Sequence, residues 1–185
     1  MNKIIAIVGM TGSGKSDSAQ FFKEKGYEVL RFGSVVDDAV KEAGLPWTPE
    51  NTALYRKKLR EEFGMGAMAI KMLPKIKENI SKGKKIVLDG LYSWEEYEIL
   101  SKEFSNLLIL CIYASPKIRY QRLEVRPDRP FKPEEARKRD IDEIVSTNKG
   151  GPIALADYLI INDGTKEEFT EELKIFSEKL QNDRL

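Results

Sequence analysis

The chain has no histidine among its 185 residues, which removes histidine-based acid–base and nucleophilic catalysis and any zinc site assembled from cysteine and histidine. Its single cysteine, Cys111, sits in the apolar run LLILCIY, where it reads as a buried strand residue rather than a reactive thiol. Net charge is nearly absent as well. The 31 basic residues face 30 acidic ones, a formal +1 that argues against a surface built to hold a polyanion. The first apolar stretch, residues 3–8, runs straight into a glycine-rich loop, so it is neither a signal peptide nor a membrane span. The protein is therefore expected to be cytoplasmic, with no membrane partner.

What remains suits one domain over residues 1–185. At 41% hydrophobic and 33% charged residues the chain is of globular composition, and its length lets it bury roughly 70% of its unfolded surface without a disulfide or metal staple. Lysine, glutamate and isoleucine are abundant and glutamine is scarce, a composition similar to that of thermophile proteins.

Residues 9–16 read GMTGSGKS, a complete G-x-x-x-x-G-K-S phosphate-binding loop. It is preceded by a β-branched run, residues 3–8, and followed by helical spacing over residues 16–25 that closes at Gly26. Gly9, Gly12 and Gly14 let the backbone turn, so the N–H groups from Met10, Thr11 and Ser13 onward can point inward at phosphate oxygens at a helix N-terminus. In that arrangement Lys15 reaches the β- and γ-phosphates of ATP, and the Ser16 hydroxyl ligates Mg²⁺.

Strand-like runs recur at residues 28–31, 85–89, 107–113 and 158–161, separated by helical segments, which is the rhythm of a doubly wound α/β sheet. Thr48-Pro49 and Ser115-Pro116 each place a capping residue before a proline at the first helical position, while Gly83 and Gly164 mark stops. Two segments exceed a minimal sheet-and-helix core. Residues 33–80 form a mainly helical insertion, and residues 125–140 form an excursion rich in proline and arginine. At those points of an open sheet they overhang the carboxyl ends of the strands, as an acceptor-binding arm and a lid.

Asp89 closes the third strand, where a carboxylate can hold Mg²⁺ through water, orient an attacking hydroxyl, or simply cap the turn before Gly90. Arg119, Arg122 and Arg126 fall at i, i+3 and i+7, and Arg129, Arg137 and Arg139 continue the basic supply. Such cations can neutralise a transferred phosphoryl group; alternatively they form a solvated face paired with Glu124, Glu134, Glu135 and Asp140. In the insertion, Arg56 and Arg60 lie four apart on the helix begun at Thr48 and could clamp an anionic acceptor, or could sit on an ordinary surface helix beside Glu61 and Glu62.

Together GMTGSGKS, RFGSVVDD, VLDGLYSWEE, ASPKIRYQR and ALADYLIINDG resemble the nucleoside monophosphate kinase-like proteins of the P-loop superfamily. The match is nearest to a poorly characterised archaeal group of small ATP-binding proteins related to adenylate and dephospho-CoA kinases. The resemblance implies a three-layer α/β/α fold with a five-stranded parallel sheet, a helical acceptor arm and a lid. It also implies adenine held near residues 162–164, including Asn162, and an acceptor site drawing on Arg31, Gly33, Asp37, Arg56, Arg60 and Gly90. Two departures matter. Where adenylate kinases carry acceptor-phosphate arginines, this chain has Ser34, Asp37 and Asp38 after Gly33, and Leu91, Tyr92 and Ser93 after Gly90. The carboxylates are similar to those of a kinase for a hydroxyl acceptor.

The expected function is a Mg²⁺-ATP-dependent phosphotransferase acting on a nucleotide-like small molecule, with Lys15, Asp89, Arg119 and Arg122 as its catalytic residues. An ATP-hydrolysing regulator without an acceptor is the alternative. A GTPase is disfavoured because Asn148-Lys149 is followed by Gly150-Gly151 and lacks the downstream aspartate that reads guanine. Nucleic-acid binding is disfavoured by the balanced charge and by the lack of aromatics among the lid arginines.

Overall fold

In the computed structural model, which describes residues 3–127 and 130–182, five short runs of β-branched residues and leucine pair as parallel strands. They are β1 (Ile4–Val8), β2 (Glu28–Arg31), β3 (Ile86–Asp89), β4 (Leu107–Tyr113) and β5 (Tyr158–Ile161), in the order β2-β3-β1-β4-β5. Every residue of β1 is buried, as a central parallel strand covered on both faces requires. The period of two sends Ile4, Ala6 and Val8 to one face, with Leu88 and Cys111, and Ile5 and Ile7 to the other, with Val87 and Leu110.

The first face is covered by α2 (Ser34–Glu42), α4 (Ala67–Ser81) and α5 (Trp94–Glu103) through Val36, Met72 and Leu100. The second is covered by α1 (Lys15–Glu24) and the last helix, which extends over Lys166–Gln181. The Phe22 and Phe176 rings meet edge to face at 6.0 Å between those two helices, and burying each stabilises the fold by about 1.5–3 kcal/mol. The resulting three-layer α/β/α arrangement is the one the strand rhythm predicts.

Register brings the chemistry to one edge. Asp89 pairs with Ile7 on one side and Arg31 on the other, so the carboxyl ends of β1, β2 and β3 finish together. The insertion expected at residues 33–80 consists of α2, α3 (Pro49–Phe63) and α4. Thr48 caps α3 as anticipated, its hydroxyl accepting the Asn51 N–H at 3.2 Å.

Three expectations differ in detail. β1 begins at Ile4 and β3 at Ile86, one residue later than the apolar runs suggest. Ser115 stands at the N-cap of α6 (Pro116–Glu124) but makes no side-chain cap; its own N–H is instead held by Asp163 Oδ1 at 2.7 Å. The excursion at residues 125–140 turns into a regular helix, α7 (Pro133–Thr147), which runs past the expected lid. Arg129, expected among the lid arginines, lies outside the described residues. A short α8 (Gly150–Ala154) leads to β5, so Lys166–Gln181 is α9. Among the described residues no helix is long and apolar enough to cross a membrane.

Candidate active site

The glycine loop leaves β1 and enters α1 through Gly14, whose φ of 106° is left-handed. A Cβ there would also collide with Asn162 Nδ2, so Gly14 is fixed both by backbone conformation and by what packs on it. Asn162 Nδ2 donates to the Ser13 carbonyl at 2.8 Å. Arg122 in turn donates to the Asn162 carbonyl at 2.9 Å. A cavity of about 700 Å³ opens beside this brace, lined by Gly12, Gly14, Lys15, Ser16, Arg122, Arg126 and Asn162, with Phe169 as an apolar wall. Arg122 and Asn162 both line this cavity, and Asn162 also stiffens the loop.

Lys15 folds over the loop and donates to the Met10 carbonyl at 3.0 Å. Burial, and then the charge of Lys149, lower its ammonium from the ordinary range to about 7, against the opposing pull of Glu143 and Asp89. Ser13 Oγ is buried against Gly9 with no hydrogen-bond partner. The loop thus combines a lysine poised to gain a proton, an orphaned hydroxyl and a positive helix end, a donor set that fits the phosphates of ATP.

Arg119 differs from the phosphate contact expected of it. It is 4% exposed, and its guanidinium is committed to protein: Nη1 and Nη2 grip Asp140 at 2.8 and 2.6 Å, Nε donates to the Ala114 carbonyl at 3.0 Å and Nη1 to the Thr11 carbonyl at 3.1 Å. Arg119 ties α6, α7 and the loop together, so its i, i+3, i+7 relation to Arg122 and Arg126 does not put all three guanidinium groups in the cavity. Pairing with Asp140, one of the alternatives the sequence allows, is what the fold realises, but buried rather than solvated.

A second hub was not legible. Glu143 on α7 accepts from the Thr11 hydroxyl at 2.7 Å, from Arg139 Nε at 3.0 Å and from Lys149 Nζ at 2.5 Å. Burial pushes this carboxyl up, but the Lys149 charge and the bonds from Lys149 and Thr11 outweigh it and hold Glu143 down at about 2. Lys149 itself is 1% exposed and lies 4.8 Å from the Tyr92 ring centre. In sequence Glu143 reads as one more helix acid, i+4 from an arginine; only the packing of α7 on the loop reveals it.

Asp89 is half-buried at the carboxyl end of β3. Burial raises its carboxyl, while Lys15 on one side and Arg31 on the other pull it back. A second cavity of about 470 Å³ has a lining that includes Arg31, Gly33, Arg56, Arg60, Tyr92 and Arg139. The two pairs of residues singled out in the insertion and at the end of β2 therefore meet. Arg31 is, however, ion-paired with Asp37, whose other oxygen accepts Trp47 Nε1 at 2.8 Å. Gly90 does not line the cavity; at φ 93° it turns the chain so that Tyr92 packs directly over it.

Ser16 and Asp89 border a common space of about 500 Å³. Both offer oxygen, the donor a hard cation takes, so the pair fits Mg²⁺. Among the described residues no group of three or more Cys, Asp or Glu could hold a metal alone, so such an ion would complete its shell with phosphate and water.

The AAA domain family model matches residues 5–145. A UPF0200 protein of Pyrococcus abyssi is 37% identical over 181 residues, covering 96% of each chain. Dephospho-CoA kinase from Campylobacter jejuni superposes with a TM-score of 0.64 at 16% identity, covering 100% of both chains. Shikimate kinase from Bacteroides thetaiotaomicron does so with a TM-score of 0.62 at 12% identity, over 97% of this chain and 98% of that one. At such identities the likeness is one of fold.

Proposed function

The chain belongs to the AAA domain family and to the UPF0200 proteins, with a P-loop kinase-like fold, and from that premise we propose that it is a Mg²⁺-ATP-dependent phosphotransferase acting on a hydroxyl of a nucleotide-like small molecule. The observation that carries this reading is Asp89, which borders one space with Ser16 of the phosphate loop and with Arg31, a residue that also lines the arginine-bearing cavity, and which feels the charges of both Lys15 and Arg31. The loop-lined cavity suits a donor nucleotide and the arginine-bearing one an acceptor.

In this reading the loop N–H groups, Lys15 and Arg122 hold the phosphates of ATP, and Phe169 gives the cavity an apolar wall. Mg²⁺, held by Ser16 and reached by Asp89 through water, would neutralise charge on the β- and γ-phosphates. The acceptor oxygen forms a bond to the γ-phosphorus as the bond to the β–γ bridging oxygen breaks. ADP leaves with that electron pair, and the hydroxyl proton passes to Asp89, whose raised pKa suits a base.

Charge balance supports a hydroxyl over a phosphate acceptor. In the second cavity Arg31 is paired with Asp37, and Arg139 shares the Glu143 carboxylate with the buried Lys149. An acceptor phosphate there would find Arg31 and Arg139 already bonded to carboxylates, which leaves Arg56 and Arg60 of the arm as its cations. Arg56, for which no ion pair occurs among the described residues, remains for an anionic group at the arm.

The test incubates the protein with γ-labelled Mg²⁺-ATP and a panel of AMP, dephospho-CoA and small alcohols. Label is expected on a hydroxyl acceptor, with AMP at least about 10-fold slower, the order of one lost charge-assisted bond. Efficient phosphorylation of AMP would contradict the charge argument. Label released only to water would leave the hydrolysing regulator in its place.

A further inference from the structure

Most charges in the lining of the second cavity are already committed within the protein. Arg31 is paired with Asp37 and Arg139 with Glu143, while Glu96 is 0% exposed and serves the capping box of α5. Two charged side chains of that lining, Arg56 and Asp142, are exposed and make no ion pair or hydrogen bond among the described residues. They are of opposite sign and come from separate elements, α3 and α7. Neither bonds to the other, so both are open to a ligand.

Helical spacing sets how each wall is presented. On α7, Arg139, Asp142, Glu143 and Ser146 fall three or four residues apart, and all four line the cavity. Lys138, one turn before Asp142, has the spacing to pair with it and does not, whereas Glu78 and Lys82 at the same spacing do pair. Ser146, one turn beyond Asp142, is exposed and its hydroxyl has no partner among the described residues. On α3, Arg56 and Arg60 are one turn apart and line the same space. Burial, and then the charge of Arg56, lower the Arg60 guanidinium against the pull of Glu96, so an anion at Arg56 relieves two neighbouring cations. One wall thus offers positive charge and the other a carboxylate with a hydroxyl, around a volume of small-molecule size.

We propose that Asp142, with Ser146, is a specificity-determining point of this cavity, accepting hydrogen bonds from the donor end of a bipolar acceptor whose anionic group is held by Arg56. The ligand class is a small molecule with a phosphate or carboxylate at one end and hydrogen-bond donors at the other, a chemistry shared by hydroxyl and ammonium groups. This rests on the acceptor-site reading of the cavity and names what α7 reads in it.

Calorimetry with the full chain, Mg²⁺ and a saturating non-hydrolysable ATP analogue tests it. The bipolar probes are the four ribonucleoside 5′-monophosphates, ribose 5-phosphate and phosphoethanolamine, with inorganic phosphate as the anionic half alone. The best bipolar probe is expected to bind at least about 10-fold more tightly than inorganic phosphate, the worth of one bond to a charged group. A sugar-bearing probe in that place makes the donors hydroxyls; phosphoethanolamine makes them an ammonium. Asp142→Asn is expected to weaken the best probe at least about 10-fold and leave inorganic phosphate unchanged, whereas Arg56→Gln weakens both. Both positions are exposed on helices, so neither variant opens the core. The proposal is overturned if no bipolar probe binds more tightly than inorganic phosphate, or if Asp142→Asn binds the best probe as the wild type does. The two readings fail separately. Probe binding that depends on Asp142, with label from ATP going only to water, would remove the phosphotransferase alone. Phosphorylation of an acceptor with KM unchanged in Asp142→Asn would remove the specificity role alone.

Discussion

A lysine held near pH 7 by burial and by a neighbouring Lys149 regains its proton when a triphosphate arrives. Lys15 is lowered from an ordinary 10.5 to about 7, and phosphate oxygens favour its charged form. Above about pH 7 the free protein has lost that proton and the ATP-bound protein keeps it, so binding takes one up; well below pH 7 both states hold it and uptake vanishes. Calorimetry at pH 8 in two buffers of different ionisation enthalpy is expected to show uptake approaching one proton, and affinity falling as pH rises further. Equal heats in both buffers would contradict this assignment of Lys15. Residues of this kind were legible in sequence because the loop's requirement is local: glycines for the turn, a lysine and a serine at fixed offsets. Arg119 was not, because its partner Asp140 lies 21 residues away and only packing decides that the guanidinium turns inward.

At the scale of elements, α7 is the clearest departure from expectation. Residues 125–140 read as a lid, but from Pro133 the chain is a helix whose Asp140 and Glu143 clamp two buried cations, Arg119 and Lys149. Glu143 also joins α7 to the loop through Thr11. Glu143→Gln leaves Lys149 buried without its counter-charge and is expected to destabilise the protein by about 3 kcal/mol. Adding Lys149→Met should recover most of that loss, because the uncompensated charge is then gone. Urea unfolding of the two variants decides the matter; a single variant as stable as the wild type would show that the hub is not structural. The strands and the α3 cap, by contrast, were readable from β-branched runs and Thr48-Pro49, since propensity and capping act within a few residues. Glu96 was half legible: Ser93-x-x-Glu96 announces a capping box, while the second oxygen buried without a partner is a tertiary fact.

At the scale of the whole molecule, parallel register brings the ends of β1, β2 and β3 together, and Asp89 borders one space with Ser16 of the loop and Arg31 of β2. The order of segments was visible in sequence because each βα unit repeats the same punctuation. Which acids and bases face each other across the cleft was not, because α3, α5 and α7 reach it from separate parts of the chain. The measurement that bears most directly on the central claim is the partition of γ-label from Mg²⁺-ATP between the best acceptor and water, in wild type and Asp89→Asn. Wild type is expected to transfer chiefly to the acceptor, and Asp89→Asn to lose that transfer by about 100-fold or more, the range of a missing general base, while still binding ATP. Transfer at the wild-type rate in Asp89→Asn, or label released only to water by the wild-type protein, would contradict it.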